Sequence, residues 1–502
     1  MKLTRRYFVA MGGGSLAAVI LAACGAAPSP TAVPAKPTEA PKPAAPAPTA
    51  APAAPAATKP AEAPKPAEAP KPVEAAKPTE APKPAAAVPA TAGGPVKITY
   101  WSAHSGNTEK AQAEIAKRFN ASQSKIAVDA QYQGSYTDIM TKMQAAMAAK
   151  QVPDIFLIHE AGWLPFWLNK QLEPLDKFVA DTKIDVTDWQ DALYKEGVKF
   201  GKLWWLSTSR STPIFYYNRD AWAEAGLPDR APKTWTEMIE WAPKLTKKSG
   251  NEITQYAHQE HASDSTAWVL QTKLWQWGGR YSNDEDGIKV TLNEPPAIAA
   301  VQHIADMVGK FKAARVDGGP NGERAPFLGG KSASLINSTS QLVSMGKTAK
   351  FKVGVGFLPE GPAGFGCTTG GSGMAIPALT PGDRKPMAFE WLKFSTDTEA
   401  TVYWMKETGY MPLRKSAEKH PDVLKLYEED PNFKVAVSQL PKTKFQEYGR
   451  IAVGKADDII KDAISRITVG NEPVNAVMKD ASAELDKELR SVRELLKTAA
   501  TY

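Results

Sequence analysis

The chain has 502 residues and a formal net charge of +7, with 41 prolines and only two cysteines. Two cysteines exclude a disulfide framework, and a chain of this length exceeds one ordinary core. The positive balance does not mark a nucleic-acid binder: Lys2, Arg5 and Arg6 supply three charges and a low-complexity stretch of seven Lys against five Glu supplies two more, leaving +2 for the remainder.

Residues 1–9 read M-K-L-T-R-R-Y-F-V, a twin-arginine export signal built on Arg5 and Arg6. An apolar run over 9–23 follows and stops at Leu21-Ala22-Ala23-Cys24, the small-residue pattern at which bacterial lipoproteins are cleaved and their new terminal Cys acylated. The alternative, an uncleaved membrane span, needs roughly 20 apolar residues, and this run has about 15. The predicted organisation is therefore a signal peptide over 1–23, then an acylated Cys24 heading a linker over 24–96. In that linker lie 20 of the prolines, no aromatic residue, and Lys59, Lys65, Lys71, Lys77 and Lys83 at a six-residue period. Such a stretch buries nothing and favours extended polyproline II at about 3.1 Å per residue, which suits a tether. Cys367, the second cysteine, reads as a small packed residue.

From Lys97 the character changes, and all 14 tryptophans follow. The pattern predicts strand 96–101, helix 110–119, strand 126–132, helix 136–147 and strand 154–158, an α/β alternation with helices on the faces of a sheet. In such sheets ligands collect beyond the carboxyl ends of the strands. A β-rich run over 211–218 leads into a helix over 220–225 that Gly226 can end. Thr234 and Glu237 have capping-box spacing, so the next helix starts at Trp235 and runs to about Lys247. The strand between these two α/β regions is where a hinge belongs.

Nine separated motifs then occur in order: Ile98-Thr99-Tyr100-Trp101-Ser102, Gln133-Gly134-Ser135-Tyr136, Pro153-Asp154-Ile155 with Glu160, Ser211-Thr212-Pro213 through Asn218, Pro232-Lys233-Thr234-Trp235, Trp277-Gly278-Gly279, Val353-Gly354-Val355-Gly356, Gly370-Gly371, and Thr408-Gly409-Tyr410-Met411-Pro412. With them the chain resembles the family 1 extracellular solute-binding proteins of ABC importers, most nearly their glycerol-3-phosphate-binding branch. The resemblance implies an α/β, two-lobed periplasmic-binding-protein-like (type II) fold with a hinge and an interlobe ligand cleft. It implies lobe 1 over 97–212 and 371–408, and lobe 2 over 213–370 and 409–502. It further implies no cofactor, no metal and a monomer that hands a small ligand to the transmembrane subunits of a permease.

By the same resemblance, ligand contacts fall on Tyr136, Glu160, Ser211, Trp268, Ser338, Gly371 and Tyr410. Each has chemistry to match: Tyr136 opens a helix, Glu160 follows a strand, the serine hydroxyls both donate and accept, and Gly371 brings a backbone N–H close. Trp268 offers a flat face to a sugar ring, but the second tryptophan of the branch is Ser265 here. Where the branch carries a phosphate-binding arginine, this chain has Asp457, or Asp458 with a one-residue shift, and Arg450 lies nearby. A carboxylate repels phosphate and accepts pairs of hydroxyls. The expected ligand is therefore a sugar, short oligosaccharide or polyol, with glycerol 3-phosphate or a glycerophosphodiester as the alternative.

His258-Gln259-Glu260-His261 lacks the H-E-x-x-H order of a zinc site and is expected on ordinary surface. No G-x-S-x-G elbow or phosphate-cradling loop appears. A surface glycoside hydrolase is the reading from another class; it needs two carboxyls about 5 to 10 Å apart flanking one bond, a spatial relation that a sequence does not specify.

Overall fold

The computed structural model describes residues 94–318 and 322–499. The signal, Cys24 and nearly all of the linker lie outside the described residues. Among those described, no helix is long and apolar enough to cross a membrane.

Two five-stranded sheets carry the fold. The first runs in the order Ile126–Tyr132, Val96–Ser102, Ile155–His159, Gly370–Ala375, Leu206–Ser211. Its first three strands are parallel, and Gly370–Ala375 is antiparallel to both neighbours. The second runs Ala314–Gly318, His258–Ala262, Ser334–Ser338, Pro213–Asn218, Val353–Gly356, again three parallel strands followed by antiparallel ones. The β-rich run read as one strand is two, broken at Thr212. The chain leaves one sheet at Ser211 and enters the other at Pro213. Buried Thr212 is held at this crossing by Gln439, which donates to its hydroxyl at 2.8 Å, and by the Thr339 amide, which donates to its carbonyl at 3.1 Å.

Local chemistry explains the elements that frame the space between the sheets. Ile155-Phe156-Leu157-Ile158 is completely buried because it lies in the middle of its sheet, between Val96–Ser102 and Gly370–Ala375, and is covered on both faces, which is why the run is continuous rather than alternating. Tyr136–Ala149 begins at Ser135, whose hydroxyl accepts from the Asp138 amide while Asp138 accepts from the Ser135 amide, a full capping box. At Trp235–Leu245 only half of the expected box forms. Thr234 caps the Glu237 amide, but the Glu237 carboxylate takes the Lys233 amide and a fork of Arg230 instead. That helix stops at Leu245 because residues 247–249 pair as a strand with Glu252–Gln255. Trp189, Trp205, Trp222 and Trp391 are among the largest fully buried side chains, and Cys367 is buried and free, as its packing role requires.

The expectation of ordinary surface for His258 to His261 is wrong. His258–Ala262 is a central strand, buried at every position. Each of its charged or imidazole side chains has an internal partner: His258 Nδ1 lies 2.9 Å from the Ser334 hydroxyl, His261 Nε2 donates to the Ile336 carbonyl at 2.6 Å while its Nδ1 is buried without a hydrogen bond, and Glu260 meets Lys273 at 3.1 Å. Lys273 also sits 3.6 Å from the centre of the Trp235 ring. Polar residues enter a core when partners replace water, and those partners come from distant segments that a hydropathy pattern does not reveal.

Candidate functional site

A cavity of about 960 Å³ opens between the carboxyl ends of the two sheets. Tyr136, Glu160, Ser211, Trp268, Ser338, Gly371, Tyr410 and Asp457, the eight ligand-contact candidates, all line it, as do Ser265 and Arg450.

On one wall, Tyr136 is the first residue of its capped helix, and its ring stacks on His159 with centroids 4.3 Å apart. Tyr410 stacks on Trp404 at 5.7 Å. Burial pushes both phenols above their ordinary range, so each keeps its O–H as a donor at neutral pH. Ser338 ends its strand and caps a short 3-10 turn, accepting from the Ser340 amide at 3.2 Å, which uses part of its capacity locally. Trp268 donates from its indole to the Thr369 carbonyl at 3.0 Å, which fixes the ring's angle at the cavity edge.

Gly371 has φ +110°, and a Cβ there would lie 2.1 Å from the Ser209 carbonyl oxygen. Its glycine character is therefore required by the neighbouring strand as well as by anything in the cavity. Its carbonyl accepts the Glu160 amide at 3.2 Å and so helps place that residue.

Glu160 follows its strand directly, as read from the sequence, but it is not the solvated acceptor that a free carboxylate would be. Its side chain is 6% exposed, with His159 at 3.0 Å, Arg210 at 3.6 Å and Arg450 at 3.6 Å. Burial opposes its charge; His159, Arg210 and Arg450 outweigh burial and hold it well below the usual carboxylate range. Arg210, with no exposed surface, also pairs with Glu196, which burial pushes up to about 7.

Asp457 faces the cavity but its two oxygens are engaged: Arg450 Nε reaches Oδ1 at 2.8 Å and a terminal nitrogen reaches Oδ2 at 2.9 Å. The turn bearing Arg450 is anchored by Glu447, which is buried and accepts from Trp275 at 2.7 Å, Gln271 at 2.9 Å and the Tyr281 amide at 2.7 Å. His159, Arg210, Glu447 and Gln446, whose side-chain amide donates to Glu160 at 3.3 Å, were not singled out from the sequence. Two of them adjoin predicted site residues, Glu160 and Ser211, and that adjacency was the available signal. Among the described residues no cluster of His, Cys, Asp and Glu is arranged to hold a metal ion.

Residues 114–435 match the family model described as bacterial extracellular solute-binding protein. The sn-glycerol-3-phosphate-binding periplasmic protein UgpB of Yersinia enterocolitica is 28% identical over 383 residues, covering 72% of this chain and 85% of that protein. The crystal structure of UgpB from Mycobacterium tuberculosis in complex with glycerophosphocholine superposes with a TM-score of 0.72 at 33% identity, covering 79% of this chain and 98% of that one. The GacH receptor of Streptomyces glaucescens shares the fold, with a TM-score of 0.69 at 19% identity over 80% of this chain and 99% of its own. The chain belongs to the bacterial extracellular solute-binding proteins: it is a two-lobed binder of a small solute and not an enzyme.

Proposed function

We propose that this protein is the lipid-anchored receptor of an ABC importer, closing two lobes on a sugar, short oligosaccharide or polyol and delivering it to the permease as a single chain. The observation that carries the ligand class is the state of Arg450. Its guanidinium is occupied by Asp457 and faced by Glu160, so a phosphate dianion entering the cleft meets a cation already neutralised. The surrounding tyrosine and serine hydroxyls and the indole face of Trp268 suit hydroxyls on a carbon frame. Lobe 1 is taken as 97–212 with 371–408, and lobe 2 as 213–370 with 409–502. Thr212 lies at the crossing between the sheets and supports a hinge there.

A second reading, a glycerophosphodiester, is favoured by the glycerophosphocholine bound in the 33% identical neighbour. A diester carries one phosphate charge where a monoester carries nearly two. Thermal shifts of the full chain against neutral sugars, polyols, glycerophosphocholine and glycerol 3-phosphate separate these readings. A ligand at 100 times its Kd stabilises the fold by about 2.7 kcal/mol. A shift with glycerol 3-phosphate alone would overturn both.

Tyr410→Phe removes one hydroxyl from the cleft without changing the ring. It is expected to weaken the identified ligand by about 1 to 2 kcal/mol by calorimetry. Unchanged affinity would remove Tyr410 from the site. The anchor is tested separately: Cys24→Ala should move the protein from the membrane fraction to the soluble one, and full retention on membranes would place the anchor elsewhere.

A further inference from the structure

Among the described residues, four lysine and arginine side chains line the cleft, and each already has a partner in the protein. Lys461 pairs with Asp264 and Asp458, both at 3.1 Å, and Lys455 with Glu488 at 3.4 Å. Arg324 donates to Gln341. Arg450 differs from the other three in burial and geometry: its side chain is 2% exposed, and two of its nitrogens meet the two oxygens of Asp457 in a parallel fork. A carboxylate in that position uses the same pair of N–H groups that a phosphate would use. Burial works against the Arg450 charge, and Asp457 and then Glu160 overcome it, so the guanidinium remains fully charged beneath its internal anion.

We propose that Asp457 is a specificity-determining residue, an internal counter-anion that occupies the Arg450 fork and excludes phosphomonoesters from an otherwise competent anion site. This rests on the ligand class proposed above and deepens it: the chain retains a buried arginine in the cleft and disarms it from within. Asp457 is suited to that task because it lies on the first turn of the helix Ala456–Thr468, seven residues after Arg450, and is still 31% exposed on the cleft side. An incoming anion must therefore displace a tethered carboxylate. Glu160, at 3.6 Å on the other lobe's wall, adds a second negative charge that the anion would have to approach. Neutral hydroxyls face neither obstacle, and they can share the outer lone pairs of Asp457 while the fork stays closed.

The test is calorimetry on the full chain and its Asp457→Asn variant with glycerol 3-phosphate, inorganic phosphate and glycerophosphocholine. Asparagine keeps the shape and removes the charge. Asp457→Asn is expected to bind glycerol 3-phosphate at least about tenfold more tightly than the parent chain, the effect of one freed charge-assisted contact. The gain should disappear in Asp457→Asn with Arg450→Gln, which removes the cation that receives the phosphate. Equal affinity of parent and variant for glycerol 3-phosphate, or a gain that survives Arg450→Gln, would overturn the assignment. Asp457→Ser serves the same comparison if the asparagine variant unfolds at a lower urea concentration than the parent. A parent chain that already binds glycerol 3-phosphate tightly would overturn both this inference and the ligand class. A parent that binds a sugar or glycerophosphocholine, with a variant that gains nothing, would overturn this inference alone.

Discussion

Replacing Lys273 by alanine is expected to destabilise the protein by about 3 to 5 kcal/mol, read as a fall in the urea midpoint. Lys273 and Glu260 are both nearly inaccessible, 4% and 6% exposed, and meet at 3.1 Å inside the second sheet's core. Removing one charge strands the other away from water, which costs more than the pair contributes. The paired replacement Lys273→Met with Glu260→Leu should recover most of the loss, because an apolar pair of similar volume leaves nothing unpaired. A single variant as stable as the parent would mean water reaches Glu260.

The cost of losing Lys273 also depends on pH, with a defined sign. In the parent, burial opposes the Glu260 charge but Lys273 and His258 hold its pKa down at about 2. A carboxyl depressed on folding contributes stability that is present above its ordinary value near 4.5 and is lost as pH falls toward 2. Without Lys273, burial dominates and raises the same carboxyl, which reverses its contribution. The difference between parent and variant should therefore be largest at neutral pH and shrink as pH falls from 7 to 4. A constant difference across that range would show that Glu260 does not titrate with the pair.

Gly371→Ala should cost about 3 kcal/mol or more in the absence of any ligand. Two effects add: φ +110° is a conformation L-residues avoid, and the new methyl would lie 2.1 Å from a backbone oxygen of the adjacent strand. Neither the Ser209 carbonyl nor the strand that carries it can move without opening the ladder between Gly370–Ala375 and Leu206–Ser211. The same ladder holds the Gly371 carbonyl against the Glu160 amide, so the strain reaches the cleft. Urea unfolding of the ligand-free variant measures the effect. Full stability with only ligand affinity reduced would assign Gly371 to ligand contact alone.

Much of this was legible in the chain. The five opening elements follow from periodicity and caps, and their observed bounds differ from the prediction by a few residues at the ends. Glu160 falls at a strand's carboxyl edge because strand 155–159 is a short apolar run with a polar residue after it. The Thr234 to Glu237 box was half right: the spacing is local, but Arg230 competes for the carboxylate and wins by a two-point contact.

What the sequence by itself determined is therefore the alternation of strands and helices and the presence of two α/β regions joined near 211–218, whereas the break at Thr212 emerged only from the structure. Its resemblance to a family named the residues that line one cleft. What else only the tertiary structure decided is how charge is disposed there. Glu160 is surrounded by Arg210 and Arg450, Asp457 closes on Arg450, and a strand reading His-Gln-Glu-His-Ala becomes interior. The physical reason is range. Helix and strand periodicity arise from neighbours within a few residues, whereas burying a charge requires a partner at bonding distance, and the Gln446 to Glu160 contact joins positions 286 apart in the chain.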